Sequence, residues 1–349
     1  MDWNEIPTVR GEPDFNNLLS ILQHQVPSRP TLFEFFLNDR LYERLVPEFS
    51  WSSASREAIY QRDILAMARL GYDYCTILLP GFSFSAGVIQ RRQGRTISLN
   101  EGSVIHSRAD FDSFPWPDPD QADYDLLERL GEWMPKGMKL IPYTSNGLLE
   151  NATDLVGYQQ LCMLILDDPQ LADDIFEQIG ARLLRFYQRV VKYEVVGAAI
   201  CNDDWGFKTQ TMFSPKAMRQ FVFPWQKRFV EAIHAAGKPA ILHSCGHYER
   251  IIEDIITDMK FDGRHSYEDA IEPVEVAYER FHDRLAILGG IDVDFICRSA
   301  PEEVYRRSRE MLERAAGRGS YALGTGNSVP DYVPDSGYFA MIRAALDLR

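Results

Sequence analysis

The chain has 349 residues, 45% of them hydrophobic and 25% charged, which is enough apolar material for a large core without disulfide or metal staples. Its formal net charge of −14 excludes nucleic acid and anionic membrane as main partners, because both need basic surface. An anionic small molecule held in a locally basic pocket is not excluded. The five cysteines, Cys75, Cys162, Cys201, Cys245 and Cys297, are odd in number and form no CxxC pair, so they read as free thiols of a reducing compartment.

The first residues, MDWNEIPTVRGEPDF, are polar and acidic with no signal-peptide apolar region, and no window reaches about 18 consecutive apolar residues. The expected location is the cytoplasm. Residues 1–28 form an N-terminal extension, expected to be helical and to cap one end of the fold. From there the chain alternates short apolar, β-branched runs with longer helical patterns, the mark of parallel βαβ units whose strands are buried on both faces. The eight runs are 31–36, 72–79, 140–144, 195–202, 239–243, 263–267, 285–290 and 321–323. Helical patterns cover 55–70, 155–166, 169–193, 214–236, 248–258, 271–281 and 301–316. Pro215 and Pro301 sit where a first helical turn tolerates a missing N–H, and Gly237 sits where a helix ends.

Eight strands joined by right-handed crossovers close most naturally into a single-domain (β/α)8 TIM barrel spanning 1–349; an open doubly wound sheet is the alternative. Residues 80–139 are a long insertion, expected to form a lid or wall of a pocket. It contains an alternating stretch at 88–99, with a hairpin turn expected at Gln93-Gly94, and a proline-punctuated stretch, FPWPDPDQADYD, that reads as extended linker. Within 221–229, FVFPWQKRF reads as a helix face packed on the barrel and bent by Pro224.

In a barrel the C-terminal strand ends share one mouth, and here those ends are polar. Asn146 follows the third run. The fourth ends in Asn202, Asp203, Asp204 and Trp205, the fifth in His243, Ser244 and Cys245. The sixth ends in His265, Ser266, Tyr267 and Glu268, and the eighth leads into Thr325 and Asn327. Residues two apart on a strand share a side, so His243 and Cys245 project together as a partial zinc site that needs one more protein ligand; the alternative is a packed histidine beside an inert buried cysteine. Asp203 and Asp204 are adjacent, so only one can face the mouth squarely. Asp204, Glu268 and His243 are the candidate acid–base groups, and Asn146, Asn202, Asp203, Trp205, Tyr267, Thr325 and Asn327 are candidate substrate contacts.

Several segments carry a family resemblance: NDDWGFKTQTMFSPKAMRQFVFPWQKR, ILHSCGHYERIIEDII, DGRHSYED, LAILGGIDVD and YALGTGNSVPDYVP. Together they resemble the C-terminal half of the uroporphyrinogen decarboxylase superfamily, whose fold is a (β/α)8 barrel. The resemblance covers roughly residues 199–345 well and the rest loosely. Its decarboxylase branch carries an RQAGRY-type motif after the first strand and an aspartate in an FSDI-type motif at the end of the second. Neither is present: residues 32–40 read LFEFFLNDR, and Pro80 falls where the aspartate would stand. The corrinoid-dependent methyltransferase branch is similar at His243 and Cys245, its zinc histidine and cysteine. Its third ligand, a cysteine between glycines, is replaced by Thr325, so the resemblance leaves Glu268 or Asp204 to complete a zinc site. It implies methyl transfer between a small methylated substrate and a corrinoid supplied by a partner protein. A decarboxylase of a small carboxylic acid or a uroporphyrinogen-like tetrapyrrole, and a non-catalytic tetrapyrrole- or corrinoid-binding protein, are the alternatives.

Overall fold

The computed structural model describes residues 2–49, 55–84 and 99–349; the stretch expected to form a hairpin at Gln93-Gly94 lies outside them. The chain is α/β with two parallel sheets. In the first, β1 (Tyr74–Leu78) pairs with β2 (Lys139–Tyr143). In the second, β3 (Ala199–Asn202), β4 (Ala240–His243), β5 (Gly263–His265), β6 (Ala286–Leu288) and β7 (Tyr321–Ala322) lie side by side in chain order. A parallel bridge between Leu140 and Val196 joins the sheets, and another joins Leu32 to Leu323 beyond β7. All the strand residues of β3, β4, β5, β6 and β7 are buried, as strands covered by helices must be.

The run at 31–36, expected as a full strand, pairs only at Leu32. Two side chains replace the ladder toward β1: the Tyr74 phenol bonds both the Glu34 N–H and its carbonyl at 2.6 Å, and Thr76 Oγ1 donates to the Phe35 carbonyl at 2.5 Å. On the other side the backbones nearly touch. A Cβ on Gly324 would stand 1.6 Å from the Phe33 carbonyl oxygen, so that position admits only glycine.

Three helical expectations need correction. The pattern at 155–166 is two helices, Leu148–Val156 and Tyr158–Asp167, separated by Gly157 at φ +87°. The pattern at 214–236 is interrupted by a π-turn at Met218–Val222 before the helix Phe223–Ala235; Pro224 lacks an N–H and its ring crowds the preceding turn, which the wider π-turn relieves. The pattern at 248–258 narrows to a π-helical Asp254–Met259. The insertion is also less extended than expected, because it holds the helices Arg108–Ser113 and Asp125–Trp133, the second of them burying Leu126, Leu127 and Leu130.

The N-terminal extension contains the helix Asn16–Leu22 and seals the ends where the strands begin. The Phe15 ring lies under Gly197 and Leu22 under Gly263, each so close that a Cβ there would come within 2.8 Å. The opposite, C-terminal ends are left free for chemistry. The parallel register aligns the last residues of three neighbouring strands, Asn202 with His243 and His243 with His265. Paired residues of adjacent strands project from the same side, so these three side chains form one row.

Candidate active site

Asp203 and Asp204 part company where β3 ends. Asp203 is buried and turns to the N-terminus of the helix Leu148–Val156, accepting from the Leu149 and Glu150 N–H groups, each at 3.0 Å. It also accepts from Trp205 Nε1 at 2.9 Å and Gln226 Nε2 at 3.2 Å. Burial pushes its carboxyl up to about 6 in spite of these bonds. Asp203 and Trp205 thus bond to each other, and neither lines the cavity described next.

Asp204 takes the other side. Its Oδ1 accepts the Cys245 N–H at 3.2 Å, and Asp204, His243 and Cys245 each present one ligand-type atom, all within 4.8 Å of one another. This is the one such group among the described residues. It lies in a cavity of ≈ 250 Å³ walled by Phe35, Phe36, Tyr143, Ser145, Glu150, Asn202 and Asn327. Asn202 Oδ1 accepts from the Thr144 N–H at 3.2 Å, and Asn327 Nδ2 donates to Cys245 Sγ at 3.2 Å. Ser266 Oγ reaches the same sulfur at 3.5 Å from a backbone held at φ +88°, a conformation costly for any residue but glycine. Two donors aimed at one sulfur suit a thiolate better than a thiol. Burial, with Asp204 alongside, pushes the Cys245 thiol up to about 12, so only a cation would make it a thiolate.

The His243 imidazole Nδ1 meets His265 Nδ1 at 2.8 Å, and His265 Nε2 meets the Thr325 carbonyl at 3.3 Å. Burial drives both rings well below the ordinary histidine range, and the Arg264 guanidinium adds to this, so both are neutral. Glu150, on the cavity wall, is pushed up to about 8 by burial and by Asp203 and Asp204. Its Oε2 accepts the Gly147 N–H at 3.0 Å. A carboxyl kept neutral beside such a cluster has a proton it can give.

The remaining expected residues lie elsewhere. Thr325 is fully buried, and its hydroxyl contacts Glu34 Oε1 at 2.8 Å and the Asn327 carbonyl, so it lines no wall of the small cavity. Asn146 donates to Asp154 Oδ2 at 2.6 Å. Glu268 and Tyr267 line a second cavity of ≈ 880 Å³, with Lys208, Asp292 and Tyr332, which shares Asn327 with the first. Glu268 is therefore not brought to the His243 cluster. A further cavity of ≈ 880 Å³, lined by Lys136, Lys139 and Lys192, lies at the end where the strands begin and holds no ligand cluster.

Sequence reasoning passed over Glu34, Glu150 and His265 as site residues. Glu34 carried a signal, as a lone carboxylate inside an apolar run, whereas Glu150 looks like any acidic residue in a first helical turn.

A profile of the uroporphyrinogen decarboxylase (URO-D) family matches residues 91–347. The chain belongs to that family. Within it, the chain is similar to the methylated-thiol–coenzyme M methyltransferase of Methanosarcina mazei, at 28% identity over 137 residues, 39% of this chain. The chain's match spans about a third, 34%, of that relative's length. Among solved structures a methyltransferase from Methanosarcina mazei superposes with a TM-score of 0.72 at 16% identity, covering 94% of this chain and 97% of its own, so the two share a fold. No helix among the described residues is long and apolar enough to cross a membrane. Zinc, which the family resemblance implies, is tested by the donor set. Imidazole nitrogen, thiolate sulfur and carboxylate oxygen are its ordinary ligands, and around a tetrahedral ion they stand roughly 3.3–3.8 Å apart. His243 Nε2 and Cys245 Sγ are 4.0 Å apart, so small side-chain adjustments bring the set to that spacing, and the residues fit the ion.

Proposed function

We propose that this URO-D family member is a methyltransferase that moves a methyl group between a small methylated substrate and a corrinoid protein, on a closed (β/α)8 barrel. Asp204, His243 and Cys245 would hold zinc, with a fourth position open to the substrate. The observation that carries the reading is the convergence of those three side chains from two adjacent strand ends into one cavity. The closed barrel is supported by the bridges at Leu140–Val196 and Leu32–Leu323 and by the side-chain ties from Tyr74 and Thr76.

Zinc in this place supplies Lewis acidity toward the sulfur, oxygen or nitrogen that carries or receives the methyl group. The chain's own residues do the rest. Asn327 and Ser266 hold the Cys245 sulfur, while Phe35, 4.4 Å from His243 between ring centroids, and Tyr143 keep that wall apolar. Asn202 borders the same space, and Glu150 stands ready to give a proton to a departing heteroatom. The wider cavity lined by Glu268 and Tyr267 would take the bulkier part of a partner. A volume of ≈ 250 Å³ lies below the ~300–1,000 Å³ of most drug-sized ligand pockets, so the occupant is small. Among the described residues that line it none is Lys or Arg, so a carboxylate substrate finds no counter-ion there, which weighs against the decarboxylase alternative.

The test has two parts. Elemental analysis of the purified protein, or of apoprotein dialysed against zinc, should give about one metal per chain. Free or protein-bound cob(I)alamin should then be methylated by at least one donor from a panel of methyl thioethers, methylamines and aryl methyl ethers. Absence of metal together with absence of turnover across the panel would refute the reading.

A further inference from the structure

The His243 imidazole is held by a line of buried groups that reaches the buried Glu34 carboxyl. The line begins in the sheet register, which sets His243 and His265 side by side so that their Nδ1 atoms meet at 2.8 Å. It continues from His265 Nε2 to the Thr325 carbonyl at 3.3 Å. That carbonyl also accepts the Gly290 N–H at 2.9 Å, using its second lone pair. The approach is close enough to require glycine at 289, where a Cβ would stand 2.2 Å from the Thr325 oxygen. Thr325 in turn is pinned to Glu34, through its N–H at 3.2 Å and its hydroxyl at 2.8 Å. The Phe33 and Phe35 rings pack on the two imidazoles at 5.1 and 4.4 Å between centroids, which keeps the rings from turning over.

Hydrogen counting along this line has one outcome for two neutral rings. A carbonyl oxygen can only accept, so His265 Nε2 carries a hydrogen. A neutral His265 then has a lone pair at Nδ1, and the proton between the two Nδ1 atoms belongs to His243. A neutral His243 with hydrogen on Nδ1 has its lone pair on Nε2, the atom that faces Cys245 Sγ at 4.0 Å. We propose that His265, anchored by Thr325 and Glu34, is a positioning residue that fixes His243 in its Nδ1–H tautomer and so presents Nε2 as the ligand atom. Metal-binding histidines are usually oriented by a carboxylate or a carbonyl. Here a second histidine passes the orienting power of a carbonyl one ring further.

The consequence for metal binding rests on the zinc site proposed above; the tautomer itself does not. The experiment therefore reads both. Long-range proton–nitrogen NMR on metal-free, ¹⁵N-histidine-labelled protein should show His243 protonated at Nδ1 and bare at Nε2, with His265 the reverse. A His243 protonated at Nε2 overturns the proposal. His265→Phe keeps a ring but removes the acceptor. It should lower zinc and cobalt(II) affinity about 10- to 100-fold and let His243 populate both tautomers, whereas His265→Asn, whose amide oxygen can accept the Nδ1 hydrogen, should stay within about threefold of wild type. Wild-type affinity in a folded His265→Phe overturns the proposal. If that variant does not fold, the wild-type tautomers and the His265→Asn affinity decide. Should the wild-type protein bind no metal, the zinc site fails while the tautomer measurement still decides the proposal.

Discussion

Replacing Glu34 by glutamine should stabilise the protein at pH 8 and not at pH 5. Glu34 is fully buried, and burial pushes its carboxyl from 4.5 to about 8, against the hydrogen bonds from Thr325 and Phe35. The surroundings favour the neutral acid for a second reason. The Thr325 hydroxyl has one hydrogen and two oxygen neighbours, Glu34 Oε1 and the Asn327 carbonyl. The carbonyl can only accept, so both contacts are hydrogen bonds only when Glu34 itself donates to Thr325.

The folded chain thus holds this proton up to about pH 8, while the unfolded chain releases it near 4.5. The contribution to stability is fully present below 4.5 and is lost as pH rises toward 8. Integrated between pH 5 and pH 8, that loss is about 3–4 kcal/mol, at about 1.4 kcal/mol per tenfold change in proton affinity. Glutamine keeps the geometry: its amide donates to the Thr325 hydroxyl and its oxygen accepts the Thr325 N–H, at the loss of the bond from Phe35, worth about 1 kcal/mol. Urea titrations of both proteins at pH 5, 6, 7 and 8 isolate this one group, since every other titrating residue is common to them. The expected result is a variant slightly less stable at pH 5 that gains steadily on wild type and passes it before pH 8. A difference that stays flat across the range would refute the reasoning.

Asp203→Ala should cost about 3 kcal/mol or more in a urea titration, because four donors, the Leu149 and Glu150 N–H groups, Trp205 Nε1 and Gln226 Nε2, lose a buried acceptor together; a loss below about 1 kcal/mol would show that water replaces it. Asp204→Ala and Cys245→Ala should each abolish stoichiometric metal in elemental analysis, whereas Glu268→Ala should leave it unchanged. Metal lost with Glu268 and kept without Asp204 would reverse the assignment of the third ligand.

Seven of the eight expected runs hold the strands β1 to β7, readable because strands buried on both faces leave mostly apolar stretches, whereas the run at 31–36 pairs only at Leu32. Several helices escaped, and two of them did so for opposite reasons. Asp39–Leu45 is too short to show a period. Asp335–Leu346 is buried from Gly337 to Ile342 without interruption, so it has no polar face to contrast with an apolar one. The breaks at Gly157 and at Met218–Val222 are events of the backbone, and a side-chain period cannot report them.

At the site, the pairing of His243 with Cys245 follows from a spacing of two on one strand, and the divergence of Asp203 from Asp204 follows from a spacing of one. What spacing could not give is what each side chain meets across the sheet. Thr325 and Asn327 are two apart and flanked by glycine, yet only Asn327 reaches the Cys245 sulfur. Thr325 is drawn away by Glu34, which lies 291 residues earlier in the chain. The family resemblance places a third metal ligand at 325. In this chain the backbone carbonyl of that residue orients the histidine pair, and a carboxylate from the end of β3 faces the cavity instead. An oxygen ligand in place of a second sulfur would make the proposed zinc site harder, which would weaken its preference for soft ions and let cobalt(II) or manganese(II) compete better with zinc than they would at a thiolate-rich centre.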